Sequence, residues 1–453
     1  MQNIVKLADA NYTEGIKDEA IKSLKALQNS DGGWKWYTKC EKSSYWVSME
    51  VLELIGTLKQ VGYYADDDII GPMTAKAIAY IDREVVRLYN EQRDKRDYNI
   101  FCQFAYVRTL FADIPMSSTL QELVNRAYSI MANDWKKCSL AQKSFIAELM
   151  CRIDRKNVAA DIVESIKQFA ITTANKGTYW DNVDFSWRGY ADVSTTARLL
   201  KAIAAINPAD PILDSVRQWM VLEKQTNDWG DMSMAPYAIS ALLNTGTKWS
   251  EASGDVVITI GDTTVDLSEI ERHSGYIVKE INTPAEGSTL TVSRNGKSPA
   301  FGAVMAKFSA PMKQIKAKKG DGIEISKAVY TLKGSQLKDG APLNVGDRVR
   351  VMLTVKSKQP MEFVTITDER CATMEPADQL SDYVYRDGIW LYQETKNADT
   401  NLFIGYLPKG THCLYYDVVI TSSGTYTIGK AAVQCQYAPQ FTAHSAGGEV
   451  KVD

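Results

Sequence analysis

Residues 385–395 read YRDGIWLYQET, 401–421 NLFIGYLPKGTHCLYYDVVIT, 422–441 SSGTYTIGKAAVQCQYAPQF and 445–452 SAGGEVKV. Apolar and polar residues alternate along these runs, the two-residue period of a half-buried strand. Tyr383 and Tyr385 on one side and Ile389 and Leu391 on the other flank Asp387-Gly388, a pair that supplies the positive φ angles of a tight turn. A hairpin followed by further alternating runs predicts an antiparallel β-sandwich. Alternation alone fits any fibronectin-like or immunoglobulin-like sandwich, and such folds host unrelated functions.

The order of the motifs is more selective. After the hairpin come Leu407-Pro408-Lys409-Gly410, a tyrosine-rich strand, Ser423-Gly424-Thr425-Tyr426 and Gln436-Tyr437-Ala438-Pro439. Upstream, Gly346-Asp347-Arg348-Val349-Arg350-Val351 opens a strand, and Phe363-Val364-Thr365-Ile366-Thr367-Asp368 precedes Met374-Glu375-Pro376. This set resembles the C-terminal domain of bacterial alpha-2-macroglobulins, large envelope proteins that trap proteases.

Residues 4–243 carry the spacing of helices instead. Val51, Leu54, Ile55 and Leu58 run up to Gly62; Ile100, Phe104, Val107 and Phe111 stop before Pro115; Leu120, Leu123, Val124 and Ala127 follow Ser117-Ser118. The reading gives about eight to nine helices. Over them lies a repeat. Asp31-Gly32-Gly33-Trp34-Lys35-Trp36 leads into a helix near Ser44; Thr178-Tyr179-Trp180 with Trp187 leads into Val193-Ser194-Thr195-Thr196-Ala197; Asp228-Trp229-Gly230 leads into Ser233. Glycine lets the chain turn between an outer and an inner helix, tryptophan fills the wedge between neighbouring pairs, and the hydroxyl caps the inner helix. An α/α toroid of paired helices is the expected result. LQNSDGGWKW at 27–36 and KQTNDWGDMSMAPYAISAL at 224–242 resemble segments of the same family's thioester domain, whose toroid has more helices, so an N-terminally incomplete ring is expected.

The fold class is therefore multidomain α + β, a toroid followed by antiparallel sandwich domains. The boundaries are 1–249 for the toroid, 250–311 for a short-stranded segment that resembles the family's CUB-like domain, 312–322 for a lysine- and glycine-rich linker, and 323–453 for the terminal macroglobulin-type sandwich. The 453 residues suffice for two or three cores. A net charge of −3 and a pI near 5.9 give no footprint for nucleic acid. The basic clusters at 313–319 and 93–96 read as solvated faces. No run of about twenty apolar residues spans a membrane, and the first residues lack a signal-peptide apolar region. The chain is either cytoplasmic or the tail of a longer secreted protein; the resemblance implies the tail, in the periplasm or at the cell surface.

Many macroglobulins are covalent traps through an internal thioester between the cysteine and glutamine of Cys-x-Glu-Gln. None of the seven cysteines here has glutamine three residues on: Cys40 precedes Glu41-Lys42-Ser43, Cys138 precedes Ser139-Leu140-Ala141, and Cys435 precedes Gln436-Tyr437-Ala438. Cys413 and Cys435 fall on runs expected to be neighbouring strands, where a disulfide or two buried thiols would both fit. There is no CxxC, and His273, His412 and His444 are the only histidines, which makes a Cys/His zinc site improbable on spacing. Asp66-Asp67-Asp68 reads as a solvated loop or cap. Asp181 and Asp184, beside Tyr179, Trp180 and Trp187, would suit a glycosidase carboxylate pair, and equally helix caps at a repeat turn. The helical half has no histidine to serve a catalytic triad.

No catalytic, cofactor or metal residues are assigned, no cofactor is expected, and the chain is not read as an enzyme. The resemblance implies an endopeptidase inhibitor acting by steric entrapment, with target proteases as partners of the full-length parent and a toroid–sandwich contact released when a bait segment is cut. A structural or adhesive surface protein of the same architecture is the alternative, and a polysaccharide-degrading toroid enzyme is a remote one.

Overall fold

The computed structural model describes residues 10–62, 68–91, 98–173, 176–180, 190–226, 229, 234–246, 256–267, 279–282, 285, 287–295, 304–305, 309–337 and 343–453. Contacts divide the chain into two compact units, residues 1–220 with 229–300, and residues 221–228 with 301–453. Among the described residues the first unit is built on ten helices: α1 (Ala10–Leu27), α2 (Tyr45–Gln60), α3 (Ile70–Glu91), α4 (Tyr98–Leu110), α5 (Ser118–Asp134), α6 (Leu140–Arg152), α7 (Lys156–Lys167), α8 (Tyr190–Ile206), α9 (Ile212–Thr226) and α10 (Met234–Thr245). Starts follow the hydroxyl rule: Ser44 caps α2, Ser117 caps α5, and Ser139 caps α6 in a reciprocal box with Gln142.

The even-numbered helices form the inner wall. α2 packs on α4, α6 on α8, α8 on α10, and α10 returns to α2; Tyr106 of α4 and Phe145 of α6 close the remaining step with ring centroids 5.4 Å apart. Outer helices bridge the gaps, α3 across α2 and α4, α5 across α4 and α6, α7 across α6 and α8. Among the described residues the five inner helices thus close into the ring of an α/α toroid. The ten described helices exceed the eight to nine expected from periodicity.

The tryptophan turns are wedges, as their spacing suggested, and they also bond to the preceding helices. Trp34, Trp180 and Trp229 are buried, and each indole N–H donates to a carbonyl near the end of the preceding outer helix: Leu24 at 2.9 Å, Ile166 at 3.0 Å and Met220 at 3.1 Å. Each indole thus ties its turn to the preceding outer helix by a hydrogen bond while filling volume. Glycine is required where the turn rests on the next outer helix. A Cβ on Gly32 (φ 95) would meet the Lys76 carbonyl oxygen at 2.3 Å, and one on Gly177 (φ 82) the Ser215 carbonyl oxygen at 2.2 Å. Gly177 opens β2 (Gly177–Tyr179), paired with β1 (Ile171–Thr173) just before Trp180. The capping role expected of Val193-Ser194-Thr195-Thr196-Ala197 is corrected: α8 already begins at Tyr190, which puts these residues inside the helix. Ser233, Asp228, Gly230 and Trp187 lie outside the described residues.

Beyond the helices, β3 (Val256–Ile260) pairs antiparallel with β4 (Thr263–Thr264) and β5 (Leu290–Arg294), matching the alternation read at 256–260 and 290–292.

The second unit is a sandwich. Its four-stranded sheet runs β6 (Ile323–Thr331), β7 (Arg348–Ser357), β13 (Gly410–Ile420), β9 (Met374–Pro376). Its six-stranded sheet runs β10 (Asp382–Arg386), β11 (Ile389–Thr395), β12 (Asp399–Leu407), β8 (Met361–Glu369), β15 (Ala431–Cys435), β16 (Ala438–His444). A two-stranded pair, β14 (Gly424–Ile428) with β17 (Gly448–Val452), completes it. Alternate residues face inward as the period predicts: Val349, Val351, Leu353 and Val355 from β7 meet Val364 and Ile366 of β8 in one core. Arg386 pairs with Ile389 across the Asp387-Gly388 turn, with φ of 45° and 80°, the two positive angles of a primed turn.

Residues 312–322, read from composition as a linker, are hydrogen-bonded onto this sandwich. Lys318 and His444 exchange backbone bonds at 2.9 and 3.0 Å, and Gly447 N–H donates to the Ile315 carbonyl at 3.0 Å. Cys413 and Cys435 are not on neighbouring strands: β13 and β15 belong to different sheets because the chain crosses between sheets through β14, and all seven cysteines are free thiols.

Candidate functional site

Inner helices of a toroid are apolar on most sides, so a charge within one needs partners from its neighbours. Glu148 in α6 sits in the run Ile146-Ala147-Glu148-Leu149-Met150, all buried. An ionised carboxylate can only accept hydrogen bonds, and donors reach it from three other inner helices. Tyr106 of α4 donates to Oε1 at 2.9 Å, and Tyr237 of α10 to Oε2 at 2.5 Å. Arg198 Nη1 of α8 donates to Oε2 at 2.7 Å, while Arg198 Nη2 lies 3.2 Å from Glu53 of α2. Every inner helix therefore contributes at least one polar side chain to a single cluster. The Arg198 guanidinium lies 4.8 to 5.1 Å from the ring centroids of Tyr237, Phe145 and Tyr106, which compensates part of its lost hydration.

Burial pushes the Glu148 pKa up, but Arg198, Lys201 and Tyr237 outweigh it and hold the carboxyl below its usual range. Burial also lowers the Lys201 ammonium from 10.5 to about 8, against the attraction of Glu148 and with repulsion from Arg198 and Arg152. Lys201 Nζ lies 3.9 Å from Glu148 and 4.0 Å from the Tyr237 ring. The signs give a pH dependence. The depressed Glu148 contributes stability above its unfolded pKa, lost as pH falls through the lower folded value. Lys201 binds its proton less tightly folded than unfolded, so stability rises between about pH 8 and about pH 10. The toroid's melting temperature should climb over that window, and Lys201→Met should flatten the climb; an equal slope in parent and variant would contradict the assignment.

Next to the cluster, a cavity of about 400 Å³ is lined by Glu50, Glu53, Phe145, Arg198, Met234 and Tyr237. Gln103 in the second turn of α4, and Gln142 and Met234 in the first turns of α6 and α10, place it in the N-terminal halves of these inner helices. Its chemistry is that of a charged, aromatic-walled recess. Lys201 does not line it, so the amine is not presented as a nucleophile. Among the described residues no His/Cys/Asp/Glu group could hold a metal, and no helix is long and apolar enough to cross a membrane.

The sandwich carries a second feature, an aromatic outer face on its six-stranded sheet. Tyr383 stands opposite Tyr392, Tyr385 opposite Trp390 and Tyr392 opposite Phe403. Phe363, held at φ 54 in β8, packs edge-on against Tyr437. Trp390 is 67% and Tyr437 76% exposed, and a groove of about 500 Å³ runs between these rings past Thr365 and Gln436. Such an exposed patch marks an interaction surface.

The aspartates, histidines and basic clusters weighed for chemistry in the sequence are placed at neither site. Asp66, Asp67, Asp181, Asp184, His273 and residues 93–96 lie outside the described residues; Asp68 is an exposed turn residue. His412 and His444 bond backbone carbonyls of Pro408 and Ser445, each at 3.0 Å. Sequence reading missed the Glu148 cluster, for which the only local signal was a charge inside an apolar helical run.

Residues 322–440 match the family model described as the bacterial alpha-2-macroglobulin MG10 domain. These residues are similar to a domain of bacterial alpha-2-macroglobulins, over about a quarter of the chain. The match covers the two main sheets of the sandwich almost entirely, and the resemblance read from the hairpin and strand motifs is borne out. No curated protein matches the sequence. Among solved structures, Escherichia coli alpha-2-macroglobulin activated by porcine elastase is similar at 15% identity and TM-score 0.38, over 95% of this chain and 38% of that one. The trypsin-activated E. coli protein gives 12% and 0.39, over 95% and 29%. Native E. coli alpha-2-macroglobulin from MG7 to the C-terminus gives 13% and 0.34, over 96% and 67%. The chain thus spans less than two fifths of the length of the elastase-activated relative.

A macroglobulin thioester would need glutamine three residues after a cysteine, and no cysteine here has one. Thiol titration of the denatured, unreduced chain should give the same count with and without methylamine. One extra thiol and a mass gain of one methylamine would contradict this.

Proposed function

We propose that this chain is the non-enzymatic C-terminal part of an extracytoplasmic protein that inhibits endopeptidases by steric entrapment. The observation that carries the reading is the MG10 match over residues 322–440. The closed toroid ahead of it agrees in architecture with the thioester-domain resemblance of residues 27–36 and 224–242. On this reading the partners are proteases, cleavage of a bait segment outside this chain triggers closure, and release of the toroid from the sandwich is the bistable step. The domain boundaries at 249 and 311 belong to the same proposal, with residues 312–322 going with the sandwich they bond to. Incubating the full-length parent with a protease should give one early cut, a mobility shift on a native gel and co-elution of the protease. Multiple cuts with no shift and no co-elution would contradict entrapment. The aromatic face around Trp390 and Tyr437 favours one second reading, a structural or adhesive surface protein of this architecture.

A further inference from the structure

The MG10 core holds a charged group that neither trapping nor folding by apolar burial requires. Lys327 of β6 and Asp368 of β8 face each other from opposite sheets, with side chains 5% and 0% exposed. Lys327 Nζ stands 2.6 Å from Asp368 Oδ1, yet Oδ1 accepts no hydrogen bond of ordinary geometry. The amine instead donates to the carbonyls of Glu369 at 3.0 Å and Gly429 at 3.1 Å. The other carboxyl oxygen, Oδ2, accepts from the Tyr416 hydroxyl of β13. The Arg370 guanidinium, whose charge also reaches Asp368, is bonded to Thr400 and to the carbonyls of Lys396 and Asn397.

We propose that Lys327 and Asp368 condense into an intramolecular amide, an isopeptide bond that staples the two sheets of the sandwich. Nucleophile, electrophile and an acid are already collected in a site closed to bulk water, the arrangement in which proximity supplies most of a barrier reduction. Proton transfer from ammonium to carboxylate gives a neutral amine and a neutral acid, the form favoured by burial, which pushes the Asp368 pKa up. The Nζ lone pair then attacks Cγ. Negative charge develops on Oδ2, where the Tyr416 O–H points, as in an oxyanion hole. Oδ1 departs as water with two protons that began on Nζ. The balance is ammonium plus carboxylate to amide plus water, with no oxidant or second reactant. The product N–H keeps a backbone carbonyl acceptor, and the product C=O keeps the Tyr416 hydroxyl. Two buried charges become one neutral, hydrogen-bonded group, which removes the desolvation penalty of the pair.

The test is mass spectrometry of the purified folded chain. The intact mass under denaturing conditions should fall one water below the sequence mass, and trypsin should leave Lys327 uncut within a branched peptide that also contains Asp368. Lys327→Met and Asp368→Ala should restore the full mass, and Tyr416→Phe should lower the cross-linked fraction. The parent measurement stands whether or not these variants fold. Full mass with separate peptides ending at Lys327 and spanning Asp368 would overturn the proposal. A lost water with Lys327 still cleaved would also overturn it, because that marks a cyclised aspartate instead.

Discussion

Glu148→Ala should destabilise the helical unit by roughly 3–5 kcal/mol, the range for removing one member of a buried ion pair. The cost arises from what remains. Arg198 would keep its buried charge with only Glu53 as an acidic partner, and the hydroxyls of Tyr106 and Tyr237 would lose their acceptor. The paired variant Glu148→Leu with Arg198→Met removes both charges and keeps volume, so it should be less destabilised than Glu148→Ala alone. Urea unfolding of the three proteins, followed by tryptophan fluorescence, measures this. Equal midpoints for parent and Glu148→Ala would show that the cluster does not hold the ring.

Trp180→Ala should cost a similar amount, about 3–5 kcal/mol, as truncation of a buried aromatic does. Trp180 is fully buried, and its loss opens a cavity and removes one of two donors to the Ile166 carbonyl, which keeps the Phe169 N–H. Trp180→Phe separates the two effects, because it keeps most of the ring and removes only the N–H, so about 1–2 kcal/mol should be lost. Trp34→Ala, at the equivalent position after α1, should follow Trp180→Ala. If both alanine variants melted like the parent and lost binding to a glycan array, the rings would be sugar platforms and not wedges.

These two sites differ in how far the sequence reveals them. The tryptophan turns recur between an outer and an inner helix, and local geometry demands both residue types: a close backbone approach at Gly32 and Gly177, and a helix carbonyl within reach of the indole. The Asp387-Gly388 hairpin is legible for the same reason, since its positive φ angles restrict the residues allowed. The Glu148 cluster is not local. Glu53, Tyr106, Glu148, Arg198 and Tyr237 come from five helices, and only ring closure makes them neighbours. Glu148 alone gives a hint, because a carboxylate inside Ile146-Ala147-Glu148-Leu149-Met150 must find donors elsewhere. Lys327 and Asp368 escape for the same reason, one residue on each sheet. The expectation that Cys413 and Cys435 neighbour each other failed because sequence order does not say which sheet a strand joins. Periodicity undercounts the helices because inner ones such as α4 and α6 are apolar on most sides, which blurs the apolar period.

Entrapment is the central functional claim, and substrate size tests it most directly. The full-length parent should be mixed with a protease until complex formation is complete, then assayed with a short chromogenic peptide and with a folded protein substrate. Entrapment predicts that the peptide is still cleaved at close to the free-protease rate while the protein substrate is spared. Loss of both activities would indicate active-site inhibition, and retention of both would indicate no inhibition; either result would contradict the account.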